Sequence, residues 1–327
     1  MGMVNMNFRL FFASITLVLF GFTAHSAEFV PNSDITLIVS FKEGSGTDIG
    51  AKILSKYAPK YFKHNLIIKN IPGENGITGW KALINSKPDG LTIGYLNLPT
   101  FTSYTIPPHN VFKIDDVVPI CNHLTETSVV VVRSDSPYNS LGEFVKTARE
   151  NGGFKASTNG EQASNHTATQ LFASTAKFQY EAINCNGTAD QLLSLIKGEV
   201  DFCCAKVGDV ASLVSEEKPL LKILGVFSEK RLQTLPQVPT LHEFGYYDKW
   251  YGSLRGIVGP KGMTHEMVKY YEDNFYKLLN DPEVIAAHKA RNLYIDFRDP
   301  LTFGAMILAQ EFFCRDVLPT LYHEKKE

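Results

Sequence analysis

The sequence predicts an α/β protein of two lobes, each with its own sheet, joined by crossing hinge strands. Three observations carry this prediction. Short β-branched runs alternate with amphipathic helical stretches, the alternation is punctuated once at Ser134-Asp135-Ser136-Pro137 and then resumes, and the part after residue 227 is too short for a third domain. With 327 residues, 44% of them hydrophobic and 20% charged, the chain can bury a full core and divides into about two domains.

The first unit has strands over 35–40, 66–69 and 91–96, separated by helices over 48–61 and 77–86. That order is βαβαβ with a parallel sheet. The run 117–133 contains a strand at 127–132 that is apolar on both faces and ends at the boundary. The second unit follows with helices over 141–150, 164–173 and 189–197 and strands over 154–157, 180–184 and 200–204, closed by a strand at 221–227. Helices over 265–279, 282–291 and 300–316 end the chain. The tail is expected to return and complete the first lobe. Lobe 1 then comprises 27–133 and 227–327, and lobe 2 comprises 134–226, reached by two crossing strands that let the lobes close on a ligand. There are no repeats and no low-complexity tract.

Ahead of the first strand, Arg9 precedes an apolar run over 10–22, and Thr23-Ala24-His25-Ser26-Ala27 supplies small residues. This reads as a secretory signal peptide over 1–26, cleaved after Ser26 or Ala27. The run falls short of the roughly 20 residues a spanning helix needs, and no lipobox cysteine stands at the cleavage site. An uncleaved anchor is the competing reading. Thirty-two Lys and Arg against 34 Asp and Glu give a charge of −2 with no basic block, so nucleic acid is not an expected partner. Cleavage removes Arg9 and no acid, which leaves a mildly acidic surface.

The five cysteines, Cys121, Cys185, Cys203, Cys204 and Cys314, are too few for a disulfide framework and lack metal-ligand spacing. Two readings of them stand: one bridge from Cys185 to Cys203 or Cys204, or small buried apolar residues on neighbouring strands.

The chemically informative residues lie in strand-to-helix turns. Phe41-Lys42-Glu43-Gly44-Ser45-Gly46-Thr47-Asp48 follows a strand and opens a helix. Glycines there admit backbone amides to a ligand, and the helix N-terminus carries about half a positive charge, which suits an anion. Thr47 or Asp48 can instead cap the helix. A dinucleotide fold is the rival reading of these glycines. It fails because Ile49 stands where the third glycine belongs and the next strand ends in Lys69-Asn70, not in an acid for a ribose. A second such turn is Asn70-Ile71-Pro72-Gly73-Glu74-Asn75-Gly76-Ile77-Thr78-Gly79, and two such turns at adjacent strand ends would face one crevice.

This pair of turns, with Lys87-Pro88-Asp89-Gly90-Leu91-Thr92 after it, resembles the substrate-binding proteins of tripartite tricarboxylate transporters, the TctC or Bug family. The resemblance continues through Lys197-Gly198-Glu199-Val200-Asp201, Arg231, Leu235-Pro236-Gln237-Val238-Pro239-Thr240-Leu241, Glu243-Phe244-Gly245, Trp250-Tyr251-Gly252 and Gly259-Pro260. It covers essentially the whole chain after the N-terminal segment.

The resemblance implies a two-lobed periplasmic binding protein of type II, a monomer that clamps a small carboxylate solute. It would deliver the solute to the large and small membrane subunits of the transporter, without catalysis, cofactor or metal. By position it implies Gly44, Ser45, Gly46, Thr47 and Asp48 in the first ligand turn and Gly73, Glu74, Asn75 and Gly76 in the second. From the other lobe it implies Ser157, Thr158, Asn159, Gly160, His166, Gly187 and Thr188, with Phe41 as a pocket wall. The chain departs from the family pattern at Ser45, Glu74, Gln162-Ala163 and Cys185, which bears on the solute more than on the clamp. Glu74 in particular would repel a carboxylate unless it faces solvent or pairs with an amine on the solute.

Two other functions compete with this reading on the residues. A secreted hydrolase lacks its signature, since Gly44-Ser45-Gly46 is not a nucleophile elbow and no His lies in a catalytic motif. A periplasmic sensor feeding a signalling receptor shares the same clamp. Lys42 is the only cation in the two turns, so affinity is expected to rest on backbone amides more than on any basic side chain.

Overall fold

The computed structural model describes residues 29–322 except Glu216, so the expected signal peptide over 1–26 lies outside the described residues. The first half runs β1 (Ile35–Val39), α1 (Gly46–Tyr57), β2 (Leu66–Asn70), α2 (Ile77–Ile84), β3 (Thr92–Leu98), a single turn α3 (Thr100–Ser103) and β4 (Val117–Arg133). The second half contains α4 (Leu141–Glu150), β5 (Phe154–Thr158), α5 (Ser164–Thr175), β6 (Tyr180–Asn184), α6 (Thr188–Ile196), β7 (Phe202–Lys206), α7 (Val207–Ser215) and β8 (Leu221–Val226). The chain ends in β9 (Gly252–Pro260), α8 (His265–Leu279), α9 (Pro282–Lys289), β10 (Ile295–Arg298) and α10 (Pro300–Tyr322).

The expectation of two sheets is corrected to one. All ten strands join a continuous sheet ordered β2-β1-β3-β9-β4-β7-β5-β6, with β8 and β10 also on β4. The cause is the length of β4, 17 residues. Its first part, to Thr127, pairs antiparallel with β9 and β10, while Ser128 to Arg133 pair with β7 and β8. β1 is parallel to β2 and β3, and β5 is parallel to β6 and β7, as the βαβ alternation requires.

Strand β9 has no counterpart in the sequence reading. Its run Gly252-Ser253-Leu254-Arg255-Gly256 mixes glycine and charge with apolar residues, which hides the strand period although all nine positions are buried.

Both faces of the sheet are covered. In the first half Leu37, Val39 and Tyr95 face α1 and α8, while Ile38, Leu96 and Leu98 meet Trp80 of α2 and Phe303 and Ile307 of α10. In the second half Val130, Val132 and Phe202 pack with Phe144 of α4 and Phe172 of α5, and Val129, Val131 and Ala205 pack with Leu195 of α6 and Val210 of α7. Burial on both sides explains why these strands read as continuous apolar runs. The halves meet where Ser128 N–H donates to Tyr251 O, Tyr251 N–H to Phe227 O, and Phe227 N–H to Ser128 O. Helix α10 spans the junction as well: its later residues Cys314, Leu318 and Leu321 enter the second core, and Gln170 Nε2 donates to Leu321 O at 2.7 Å. All five cysteines are unpaired and four are buried, which matches the apolar reading rather than the bridge.

One buried polar chain sets an acid limit on stability. Tyr95 Oη lies 2.6 Å from His123 Nδ1, His123 Nε2 lies 2.8 Å from His288 Nε2, and His288 Nδ1 lies 2.7 Å from Val284 O. The carbonyl can only accept, so His288 carries its proton on Nδ1, His123 donates from Nε2 and Tyr95 donates to Nδ1. A second proton on His288 would face the Nε2–H of His123, and one on His123 would turn the Tyr95 hydroxyl from donor to acceptor. Burial holds both histidines below the ordinary value, and for His123 the second imidazole and Arg255 add to it.

The unfolded chain therefore binds protons that the folded chain refuses. Stability is full above about pH 6.5 and falls below it by up to about 1.4 kcal/mol per pH unit for each histidine. Urea titrations at pH 7, 6 and 5 should show this slope, and His123→Gln should flatten it. An equally steep slope in the variant would remove the pair as the cause.

Candidate functional site

Helices α1, α2, α5 and α6 each begin at the carboxyl end of a parallel strand, α1 and α2 in the first half and α5 and α6 in the second. In open α/β sheets, ligand crevices form outside those strand ends, and the helix N-termini bring amides and partial positive charge to them.

The first turn is held by its own side chains. Ser45, not Thr47 or Asp48, is the N-cap of α1, its Oγ accepting from Asp48 N at 3.3 Å. Asp48 Oδ2 accepts from Gly44 N at 2.8 Å, and Oδ1 accepts from Asn70 Nδ2 at 2.9 Å. Burial pushes the Asp48 carboxyl up, but the Gly44 amide, Asn70 and Lys52 outweigh it and leave it below the usual carboxylate range. Thr47 Oγ1 accepts from Asn97 Nδ2 of β3 at 2.8 Å. These three side chains shape the turn and leave the amides of Gly46 and Thr47, at the start of α1, without intrahelical acceptors. Phe41 packs edge-on against Trp80 at 6.1 Å.

The second turn reaches across to the other half. Asn75 Nδ2 donates to Glu161 O at 3.3 Å, and Gly160 comes so close that a Cβ on it would lie 2.6 Å from Asn75 Oδ1. Beside this contact His109 Nε2 lies 2.8 Å from Gln162 Oε1. Gly76, at φ +102°, is pressed on Trp80, whose ring a Cβ would meet at 2.8 Å. Glu74 is exposed, so its charge faces solvent.

In the second half, Ser157 Oγ donates to Gln191 O at 2.9 Å and Thr158 Oγ1 donates to Asn184 Oδ1 at 2.6 Å. Asn159 Oδ1 accepts from Asn165 N at 3.1 Å, and Asn165 Nδ2 reaches Gln191 Oε1 at 2.8 Å and Thr188 Oγ1 at 3.5 Å. His166 is buried, its Nδ1 accepting from Gln162 N at 3.0 Å, so it fastens the turn before α5. Gly187, at φ +103°, borders open space at the start of α6.

A group of buried charges between these turns escaped the sequence reading. Arg255 of β9 and Glu126 of β4 lie 2.5 Å apart with side chains 8% and 1% exposed, and Asp209 of α7 is 4.0 Å from Arg255. Lys206 is buried, with Nζ donating to Asn165 Oδ1 at 2.6 Å, and burial lowers it to about 8. Burial raises Glu126 while Arg255 pulls it back. The signal was present as single charges inside apolar runs, where a charge needs a partner. Lys42 remains the only cation within the two turns, but the fold sets Arg255 of β9 beside the first, since a Cβ on Gly46 would lie 2.6 Å from Arg255 Nη1.

Other motif residues are structural. Both oxygens of Glu243 accept from Arg231, at 2.7 and 2.6 Å, which pushes Glu243 down to about 2, while Arg231 Nη1 holds Pro236 O at 3.1 Å. Among the described residues no cluster of His, Cys, Asp and Glu suits a metal ion, and no helix is long and apolar enough to cross a membrane.

Known proteins share this fold. The model of the TctC family, described as the tripartite tricarboxylate transporter family receptor, matches residues 38–295. A Cupriavidus necator relative, named UPF0065 protein in gbd 5'region, is 26% identical over 293 residues, 87% of each chain. The ligand-free crystal structure of a TctC solute binding protein from Polaromonas is 27% identical with a TM-score of 0.71, over 89% of this chain and 99% of that one. MatC from Rhodopseudomonas palustris, solved with bound malate, shares the fold at 20% identity and a TM-score of 0.78, over 88% and 99%. The family consists of receptors rather than enzymes, and with most of its length matched the chain belongs to the tripartite tricarboxylate transporter receptor family, the TctC or Bug solute-binding proteins.

Proposed function

We propose that this chain is an exported periplasmic solute-binding protein that closes two lobes, 27–133 with 227–327 and 134–226, on a small carboxylate solute. It then passes the solute, as a monomer, to the large and small membrane subunits of its transporter. The observation that carries this reading is the contact of the Gly73-to-Gly76 turn with the turn at Gly160 and Glu161, at the carboxyl ends of strands from both halves. Four helix N-termini then border one crevice, the electrostatic setting that an anion needs and a neutral sugar does not. The solute carboxylate is taken by the amides of Gly46 and Thr47 and of the second turn, while Thr158 to Gly160 and Gly187 to Thr188 bear on its remainder. Malate in MatC is a solute of the same class.

A thermal-shift screen of the purified chain against mono-, di- and tricarboxylates, amino acids and aromatic acids tests the reading. A carboxylate at 100 times its Kd should add about 2.7 kcal/mol of stability. A chain stabilised only by uncharged solutes would refute it. Export has its own test: the periplasmic protein should start near Ala27 or Glu28 by mass, and an intact Met1 would overturn the localisation.

A further inference from the structure

Arg255 stands where a cation is least comfortable. Its guanidinium lies under the first turn, with Nη1 and Nη2 2.6 and 2.9 Å from where a Cβ on Gly46 would be. Gly46 is the first residue of α1, so the guanidinium sits beside the positive end of a 12-residue helix. Glu126 offsets that repulsion at 2.5 Å and itself lies at the start of α7, where a Cβ on Gly208 would be 2.5 Å from its Oε1. The ion pair is thus wedged between two helix N-termini, one from each half of the sheet.

Its hydrogen bonding is unfinished. Arg255 Nη1 and Glu126 Oε2 lie 2.5 Å apart, and beyond this mutual contact Nη1, Oε1 and Oε2 are buried without a further hydrogen-bond partner. The hydroxyls of Ser128 and Ser253 and the Oδ1 of Asn97 are in the same condition. Strand pairing sets Asn97 opposite Arg255 and Glu126 opposite Ser253, so these atoms gather on three neighbouring strands. Buried polar atoms without partners are rare in folded proteins, and a cluster of them beside a charge marks a place where a further polar group belongs.

We infer that Arg255 receives the solute's carboxylate beside the N-terminus of α1, where the solute accepts from the guanidinium as well as from the helix amides, while Glu126 is a positioning residue that holds the guanidinium in place until the solute arrives. An anion there completes the fork of Arg255 donors and removes the repulsion between guanidinium and helix end. Glu126 competes with the solute for the same guanidinium, so the two members of the pair act on affinity with opposite signs. The inference rests on the carboxylate reading and adds to it the side chain that reads the charge.

Calorimetric titration of malate, succinate, citrate and adipate into wild type and three variants tests it. Arg255→Lys keeps the charge and loses the fork, and should weaken the tightest of these acids about tenfold. Joint replacement of Arg255→Gln and Glu126→Gln leaves a neutral amide pair in the same space and should weaken it about a hundredfold. Glu126→Gln alone should bind several-fold more tightly. Undiminished affinity in Arg255→Lys or in the double variant overturns the assignment, and so does a Glu126→Gln variant as weak as the double, the mark of a purely structural brace. Should the double variant fail to fold, Arg255→Lys decides. A folded wild type that binds none of the acids refutes the carboxylate reading itself, a result distinct from wild-type binding that ignores Arg255.

Discussion

Gly46→Val should weaken carboxylate binding by about a hundredfold or more, whereas Lys42→Ala should leave it within about threefold. The reason is crowding, not backbone conformation, because Gly46 already has a φ that any residue can adopt. A Cβ there would meet the Arg255 guanidinium at 2.6 Å, so the guanidinium or the turn with its Gly46 and Thr47 amides must shift. Two hydrogen bonds to a charged group, each worth about 1.5 kcal/mol or more, amount to about a hundredfold in Kd. Lys42 is exposed and its charge is screened by solvent. Calorimetry with the acid found by the screen, after circular dichroism has established folding, measures both. Wild-type affinity in Gly46→Val would put the binding groups elsewhere.

The largest loss of stability is expected from Trp80→Ala, about 3–5 kcal/mol. Trp80 is fully buried, donates from Nε1 to Tyr95 O at 3.0 Å, and packs edge-on against Phe41, Phe101 and Phe112 at 6.1, 5.4 and 6.2 Å. Truncation leaves a cavity that the rigid sheet beneath cannot close, and it strands the Tyr95 carbonyl. The melting temperature should fall by about 10 °C, and Trp80→Phe should lie between the two. Because Gly76 and Phe41 rest on this ring, the folded fraction should also bind more weakly. A loss under about 1 kcal/mol would show that the site can collapse around the missing ring.

The sequence by itself determined the local elements, the α/β class and the two glycine turns, because each rests on near neighbours along the chain. Apolar alternation placed β1 and β5 close to their observed limits, and the turns at Gly44 to Asp48 and Gly73 to Gly76 do open α1 and α2. Periodicity did not reveal α7, whose residues Val207 to Ser215 follow β7 without a turn signal, or β9, whose glycines and arginine break the alternation.

Only the tertiary structure decided that one sheet replaces two, since β4 pairs with four other strands that all lie far from it along the chain. It alone also brought Arg255 beneath Gly46 and Glu126 beneath Gly208. No local pattern carries that information. A lone arginine in one strand and a lone glutamate in another acquire meaning only when antiparallel register sets them side by side, and burial then makes each charge depend on the other.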